Sequence, residues 1–136
     1  MRLFSIEVRK ELTDEWENRG VQQGKEFAIL TDEITKAWSG FSTKEYKQFK
    51  DLKKENLRDH MTNLELVLNM LAEATTTEIS KEKKPATFEG SRKIAKEGGT
   101  IVGHTRKEIE EKTGKKVVTK KNAKKLPVGQ KPKELE

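Results

Sequence analysis

Three glycines and a hydroxyl in GGTIVGHT, residues 98–105, have the spacing of a phosphate-binding loop. In a GxxxxGK[ST] loop, backbone amides surround the phosphates, the lysine neutralises them and the hydroxyl binds Mg²⁺. Gly98 and Gly103 occupy the two glycine positions, but His104 replaces the lysine. The preceding FEGSRKIAKE also predicts a helix rather than the strand that such a loop follows. The sequence therefore argues against nucleotide hydrolysis.

The same small residues have a simpler structural interpretation. Gly98-Gly99 predicts the end of one helix. Ala95, Gly99 and Gly103 recur every four residues, which predicts a stripe of small side chains where another backbone can approach closely. We favour this interpretation of the stretch over a ligand site.

Other catalytic or metal-binding patterns are missing from the sequence. The two histidines, His60 and His104, are far apart and have no HExxH-like pattern around them. There is no cysteine, and the serines lack a GxSxG context. Three carboxylate pairs are adjacent in sequence and predict solvated helix faces: Asp14-Glu15, Asp32-Glu33 and Glu110-Glu111. We therefore expect no enzyme activity, cofactor, metal or small-molecule substrate.

Positive charge is concentrated at the end of the chain. Residues 112–136 contain nine lysines and two glutamates, a net charge of +7, which leaves −1 for residues 1–111. A cationic segment binds polyanions because each phosphate that it neutralises releases counterions, and this needs no fixed fold. Few apolar residues accompany the lysines, so nucleic acid fits better than a membrane surface.

We predict non-specific DNA contacts from this segment and from basic positions before it. The candidate residues are Arg92, Lys93, Arg106, Lys107, Lys115, Lys116, Lys120, Lys121, Lys124 and Lys125. No recognition helix of a known type is evident, so no sequence-specific reading is predicted. After Lys115 the chain is polar, basic and proline-spaced, which predicts a largely disordered tail.

Amphipathic helices are predicted to position these residues. Apolar side chains recur at helical spacing in residues 5–18 and 25–39. Glycines at 20 and 24 indicate the turn between these helices, and Gly40 indicates the end of the second. Most aromatic residues are predicted to lie in the core, with stacking on unpaired bases as the alternative.

Two capping boxes predict further helix starts. Ser42-Thr-Lys-Glu45 and Thr62-Asn-Leu-Glu65 each place a hydroxyl at the N-cap and a carboxylate three residues later. The second box opens the most apolar helix, which we expect to be the core element. Its predicted apolar face consists of Leu64, Val67, Leu68, Leu71 and Ala74, with Met70 beside it.

Pro85 marks a boundary, beyond which the sequence predicts a further pair of helices ended by Gly114. The predicted fold is all-α, a small helical bundle of about five or six helices with a disordered basic C-terminal tail. We divide the chain into a helical core region at 1–84, a helical pair with the Gly-rich motif at 85–114 and the tail at 115–136.

Composition is consistent with small helical units. The chain has 136 residues, of which 32% are hydrophobic and 38% charged, which is thin for one well-buried core. No apolar run approaches the roughly 20 residues that cross a bilayer, and MRLFSIEVRKEL lacks the apolar core of a secretory signal. The absence of cysteine fits a reducing compartment, so we expect a soluble, cytoplasmic protein.

Three segments carry a family resemblance: EWENRGVQQGKEFAILTDEITKAWSG, KDLKKENLRDHMTNLELVLNMLAEATTTEIS and GGTIVGHTRKEIEEKTGKKVVTKKNA. The most specific pattern is GG…G..RK.IE..TGK.VV…N, which runs from Gly98 to Asn122. Together they resemble the C-terminal region of proteins related to DNA-damage-inducible protein D, which belong with the phage antirepressors that carry a Bro-type N-terminal domain. The similarity covers most of residues 15–123, and the Bro-type domain, which is expected to contact DNA, is absent from these 136 residues.

The resemblance implies a prophage-associated or damage-response regulator that acts near DNA or recombination machinery, without catalytic residues. We therefore predict a non-enzymatic regulatory module that contacts DNA or a DNA-processing complex through its basic C-terminal segment. The alternative is a protein-protein interaction or dimerisation module with no direct nucleic-acid binding. In that alternative, residues 62–79 and the Ala95-Gly99-Gly103 stripe form the interaction surface.

Overall fold

Five α-helices and one short 3₁₀-helix make up residues 2–122, the part of the chain that this computed structural model describes. The elements are α1 (Arg2–Asn18), α2 (Lys25–Ser39), α3 (Thr43–Phe49), the 3₁₀-helix (Leu57–His60), α4 (Asn63–Lys83) and α5 (Phe88–Thr113). No strand occurs within residues 2–122, and the predicted all-α class is confirmed. None of the described helices is both long and apolar enough to span a bilayer.

Glycines and capping boxes set the helix ends where the sequence predicts them. Gly20, Gly24 and Gly40 have φ values of +82°, +80° and +87°, a region that favours glycine. At the starts of α3 and α4, the hydroxyls of Ser42 and Thr62 accept from the amides three residues later at 3.2 and 3.3 Å. The glutamates at those positions accept in return from the N-cap amides at 2.8 and 2.9 Å, so both capping boxes are confirmed.

Residues 88–113 form one uninterrupted helix instead of the predicted pair. The helix end expected at Gly98-Gly99 is wrong, because both glycines have helical backbone and are buried against other helices. A Cβ atom on Gly98 would lie 2.1 Å from the hydroxyl oxygen of Thr76 in α4. These glycines therefore allow close packing and do not end the helix.

The small-residue stripe of α5 brings its backbone against α2. A Cβ atom on Gly99 would lie 2.6 Å from the carbonyl oxygen of Ile34, and one on Gly103 would lie 2.5 Å from that of Ala37. Ala95, one turn earlier, is fully buried. The predicted close approach of another backbone is confirmed, but the approaching helix belongs to the same chain. The partner surface that the alternative assigned to this stripe is therefore wrong.

The other helices pack around this contact. α5 lies mainly against α2 and then against α4, and α4 also lies against α1. α1 and α4 run in parallel, because Arg9 is paired with Glu73 at 3.2 Å and Glu15 accepts from the hydroxyl of Ser80 at 2.6 Å. The largest fully buried apolar and aromatic side chains come from α1, α2, α3 and α5: Leu12, Trp16, Leu30, Ile34, Trp38, Tyr46 and Val102.

Only part of the apolar face predicted for α4 is buried, since Leu68 and Met70 are 3% and 7% exposed as expected. Leu64, Val67 and Leu71, which the apolar pattern assigns to the core, are 42%, 43% and 45% exposed. The buried side includes six polar residues: Glu65, Asn69, Glu73, Thr76, Thr77 and Ser80. Hydrogen bonds make this burial tolerable, as when the indole N–H of Trp38 donates to Asn69 Oδ1 at 3.1 Å. Apolar periodicity assigned the rest of the face wrongly, because it ignores polar side chains that are buried with hydrogen-bond partners.

The close contact between α5 and α2 predicts that replacing glycine with alanine destabilises the protein, although alanine has the higher helix propensity. Alanine normally favours an exposed helix over glycine by roughly 0.5–1 kcal/mol. At Gly103 the added methyl group meets a backbone carbonyl oxygen, which is not free to rotate away. We expect Gly103→Ala to lower the free energy of unfolding by about 1–3 kcal/mol, as measured by urea denaturation.

The neighbouring residue provides a matched control. His104 is exposed on the same helix, so His104→Ala is expected to change the free energy of unfolding by no more than about 0.5 kcal/mol. A Gly103→Ala protein as stable as the parent would contradict the close packing described above.

Candidate functional site

The predicted basic residues of α5 fall into two groups. Lys93 and Lys107 are exposed to solvent. Arg92 is also exposed, and its guanidinium lies 3.4 Å from Glu33 of α2 in a surface ion pair. Surface ion pairs of this kind contribute little to stability, so Glu33 competes only weakly with another anion for Arg92. These three residues are therefore accessible to a polyanion.

Arg106 has a different environment. Its side chain is only 14% exposed, and its Nε donates to the carbonyl oxygen of Trp38 at 2.6 Å. Its Nη1 donates to Glu110, four residues further along α5, at 2.9 Å. The second carboxylate oxygen of Glu110 accepts from the amide of Val117 at 3.0 Å. Arg106 thus links α2, α5 and the following segment, and we remove it from the set proposed to contact DNA.

Residues 115–122 lie against the body of the protein, so the disorder predicted from Lys115 onward is wrong for this part of the tail. Val117 and Val118 are 5% and 7% exposed and belong to the hydrophobic core. Asn122 is 1% exposed and donates from its side-chain amide to the carbonyl oxygen of Lys50. We call residues 115–122 the docked segment.

Lys50, directly after α3, is a buried residue that binds the main chain of the docked segment. Its side chain is fully buried and pairs with Glu65 of α4 at 2.8 Å. The same ammonium group donates to the carbonyl oxygen of Lys121, and the other oxygen of Glu65 accepts from the hydroxyl of Tyr46. Lys50 and Glu65 therefore neutralise each other at a site that excludes water, where an unpaired charge would be strongly destabilising.

Burial shifts the protonation equilibria of two groups in this cluster. Burial lowers the pKa of the Lys50 ammonium, and the negative charge of Glu65 opposes this change. Burial and the neighbouring Glu65 both raise the pKa of the Tyr46 phenol, which keeps it a neutral hydrogen-bond donor. Because Lys50, Glu65 and Tyr46 satisfy each other, their arrangement is that of a structural clasp.

The lysine side chains of the docked segment point to the outside. Lys115, Lys116, Lys120 and Lys121 are all exposed, and no acidic residue lies between Lys112 and Lys121. Lys120 Nζ lies 5.7 Å from the centre of the Phe49 ring, which places this part of the segment beside α3. Lys124 and Lys125, the last two predicted contact residues, lie outside the described residues.

The two histidines lie on different elements of the fold. His104 is exposed on α5, whereas His60 lies in the 3₁₀-helix. Within the part of the chain that the structure describes, no cluster of His, Asp or Glu side chains is arranged to hold a metal ion. The described part of the site consists of exposed lysines on an anchored backbone, an arrangement that can bind an anion.

Sequence reasoning missed the residues that fix the docked segment. No pattern in the sequence distinguishes Lys50 from the other lysines around α3, and the capping box explains Glu65 only as a capping residue. A single oxygen of Glu65 does both tasks, since it accepts from the Thr62 amide at 2.9 Å and from Lys50 at 2.8 Å. The available signal was the pair Val117-Val118, because two adjacent apolar residues in a lysine-rich segment indicate burial.

The bond from Asn122 to the main chain of Lys50 predicts that the Asn122 side chain keeps the docked segment ordered. Asn122→Ala removes the buried amide that binds the Lys50 carbonyl, a loss of about 1–3 kcal/mol because the carbonyl becomes unsatisfied. We expect hydrogen exchange of the Val117 amide to accelerate by roughly tenfold or more, while amides in the middle of α4 exchange as before.

Lys115→Ala is the control for this measurement, because Lys115 lies in the same segment with an exposed side chain. It should leave exchange of the Val117 amide within about twofold of the parent. Equal exchange rates in the Asn122→Ala and parent proteins would show that the side-chain amide does not hold the segment.

Comparison with known proteins identifies the family. A family model described as the DinD C-terminal domain matches residues 3–126. No curated protein and no solved structure matches the chain. The matched range includes α1 from its second residue onward, α2 to α5 and the docked segment, and it agrees with the resemblance found in the sequence. The chain therefore belongs to the DinD C-terminal domain family.

Proposed function

We propose that this DinD C-terminal domain is a non-enzymatic regulatory module that contacts DNA through the exposed lysines of its docked segment. The observation that carries the proposal is the fixed presentation of Lys115, Lys116, Lys120 and Lys121 on a segment whose backbone is anchored to the core. The resemblance of the chain to DNA-damage-inducible protein D, with which the family match agrees, makes DNA the most fitting polyanion. We place the protein in the cytoplasm and relate it to phage antirepressors as part of the same proposal.

Anchoring favours binding because it reduces the entropy that a free tail loses on contact. A flexible cationic segment must give up backbone freedom for every residue that it orders on the DNA. The docked segment has already lost this backbone freedom during folding, because Val117 and Val118 are buried and its main chain is bonded to Lys50 and Glu110. The lysines then need to order only their own side chains.

Additional positive charge lies on and just after α3. Lys44, Lys53 and Lys54, on and just after α3, are exposed, and α3 also bears Phe49 beneath Lys120. Lys93 and Lys107 on α5 remain secondary candidates.

Salt dependence tests the proposal directly. Fluorescence anisotropy of labelled single- and double-stranded DNA is measured with the full chain across a salt series. For duplex DNA, the logarithm of the binding constant falls with the logarithm of salt by about 0.9 per neutralised phosphate. Replacing Lys115, Lys116, Lys120 and Lys121 with Gln is therefore expected to reduce this slope by about 3 to 4.

A second fourfold variant separates local contact from net charge. Lys10, Lys25, Lys36 and Lys81 are exposed on α1, α2 and α4, and their replacement with Gln changes the net charge by the same amount. We expect this control to retain most of the parent's slope. Equal slopes for the two variants, or no DNA binding of the parent at low salt, would overturn the proposal.

Exposed apolar residues support a second candidate, a protein-interaction or dimerisation module. Leu3, Phe4 and Ile6 at the start of α1 are 78%, 60% and 57% exposed. Because α1 and α4 are parallel, with Arg9 beside Glu73, these residues lie at the same end of the helix pair as the exposed Leu64, Val67 and Leu71. Exposed apolar side chains concentrated in one region are typical of interaction surfaces.

Light scattering at increasing protein concentration tests self-association through this region. If the parent is dimeric, Val67→Ser combined with Leu71→Ser should produce a monomer, because it removes apolar area from the surface. Ile101→Ser, at a residue 50% exposed on α5, is the control and should remain dimeric. A strict monomer at high concentration would count against dimerisation.

A further inference from the structure

A cavity with mixed polar and apolar lining lies between the inner parts of α1, α2 and α4, on the side of α3 that carries Lys47. Its volume is about 240 Å³, and it is lined by residues from α1, α2, α3, α4 and the 3₁₀-helix. Sites for drug-sized ligands usually enclose about 300–1,000 Å³. At roughly 30 Å³ for each water molecule, the cavity instead has room for a small ion with part of its hydration shell.

The charges that line this cavity are unbalanced. Arg9, Lys47 and Arg58 contribute three positive charges, and Glu73 contributes the one negative charge of its lining. Glu73 is 2% exposed, and one of its oxygens accepts from both guanidinium groups. Lys47 has no ion pair with any residue in the described range 3–122. The residues that line the cavity therefore carry a net charge of +2, and the second oxygen of Glu73 is buried there without a hydrogen-bond partner among the described residues.

Both arginines are fixed in place but keep donors to spare. Arg9 donates to Thr31 at 2.8 Å as well as to Glu73, and Arg58 donates to Ser5 at 2.8 Å as well as to Glu73. A guanidinium has five N–H donors, so each arginine has donors beyond the two it uses in these bonds. Burial, together with the charge of Arg58, lowers the pKa of Arg9, while Glu73 raises it.

We propose that this cavity binds a phosphate group, either as free phosphate or as the terminal phosphate of a nucleic-acid strand. Two fixed guanidinium groups and an ammonium group match the several oxygens of a phosphate better than the two of a carboxylate. Thr35, Thr43 and Asn69 in the lining add neutral donors. A bound phosphate would balance the two excess charges. This site is separate from the docked segment, which lies beside Phe49 on α3.

Isothermal titration of the full chain with inorganic phosphate, at constant ionic strength maintained with chloride, tests the site. We expect saturable binding to the parent protein. Lys47→Gln should weaken phosphate binding at least about tenfold, because it removes a charge-assisted hydrogen bond. Lys47→Arg should restore most of the affinity, since it restores the charge and the donors.

Lys81→Gln is the control, because Lys81 is exposed on α4 and does not line the cavity. It should keep the parent's affinity for phosphate within about twofold. No saturable phosphate binding, or equal binding by the parent and the Lys47→Gln protein, would overturn the proposal. Circular dichroism of each variant checks that the helices are intact.

Labelled single-stranded DNA with a 5′-phosphate or a 5′-hydroxyl then separates the two sources of phosphate. Tighter binding of the phosphorylated strand, lost in Lys47→Gln, assigns the site to DNA ends. Equal binding of both strands, with phosphate still seen by calorimetry, assigns it to the free ion. The titration with inorganic phosphate contains no DNA, so its failure is distinct from failure of the docked segment to bind DNA.

Discussion

The arrangement of the helices depends on the close approach of α5 to α2. Gly99 and Gly103 have no side chain between the axis of α5 and the carbonyl oxygens of Ile34 and Ala37. This contact also places Arg106 where its guanidinium reaches the carbonyl oxygen of Trp38. Because Arg106 orients Glu110, and Glu110 binds the amide of Val117, the path of the chain after α5 follows from the same helix contact.

α4 completes the bundle with polar interactions in its interior face. Glu65 and Glu73 are both nearly inaccessible to solvent, and each is paired with cations from other elements. Buried carboxylates of this kind stabilise one specific arrangement, because a shifted helix would leave a charge without its partner. Glu65 fixes the docked segment through Lys50, and Glu73 fixes the two arginines of the cavity. One helix face therefore supports both proposed anion-binding regions.

Much of the fold could be predicted from local signals, whereas the sites depend on contacts between distant residues. Capping boxes, turn glycines and the Thr87 and Gly114 ends of α5 act over a few residues, so the sequence alone locates them. The continuity of α5 through Gly98-Gly99 is set by α2 and α4, which local propensity does not include. The polar residues on the buried face of α4 and the clasp of Lys50 were missed because hydrophobic periodicity treats Glu, Lys and Asn as solvated.

The bonds that hold the docked segment are made largely to its main chain. Lys50 binds the carbonyl group of residue 121, and Glu110 binds the amide group of residue 117. Main-chain groups are the same for nearly every amino acid, so these bonds do not depend on which side chains occupy positions 119–121. Evolution is therefore free to alter the charge and length of those outward side chains without losing the register of the segment. Apart from Val117, Val118 and Asn122, the docked segment is a site where binding preference can diverge between relatives while the fold is retained.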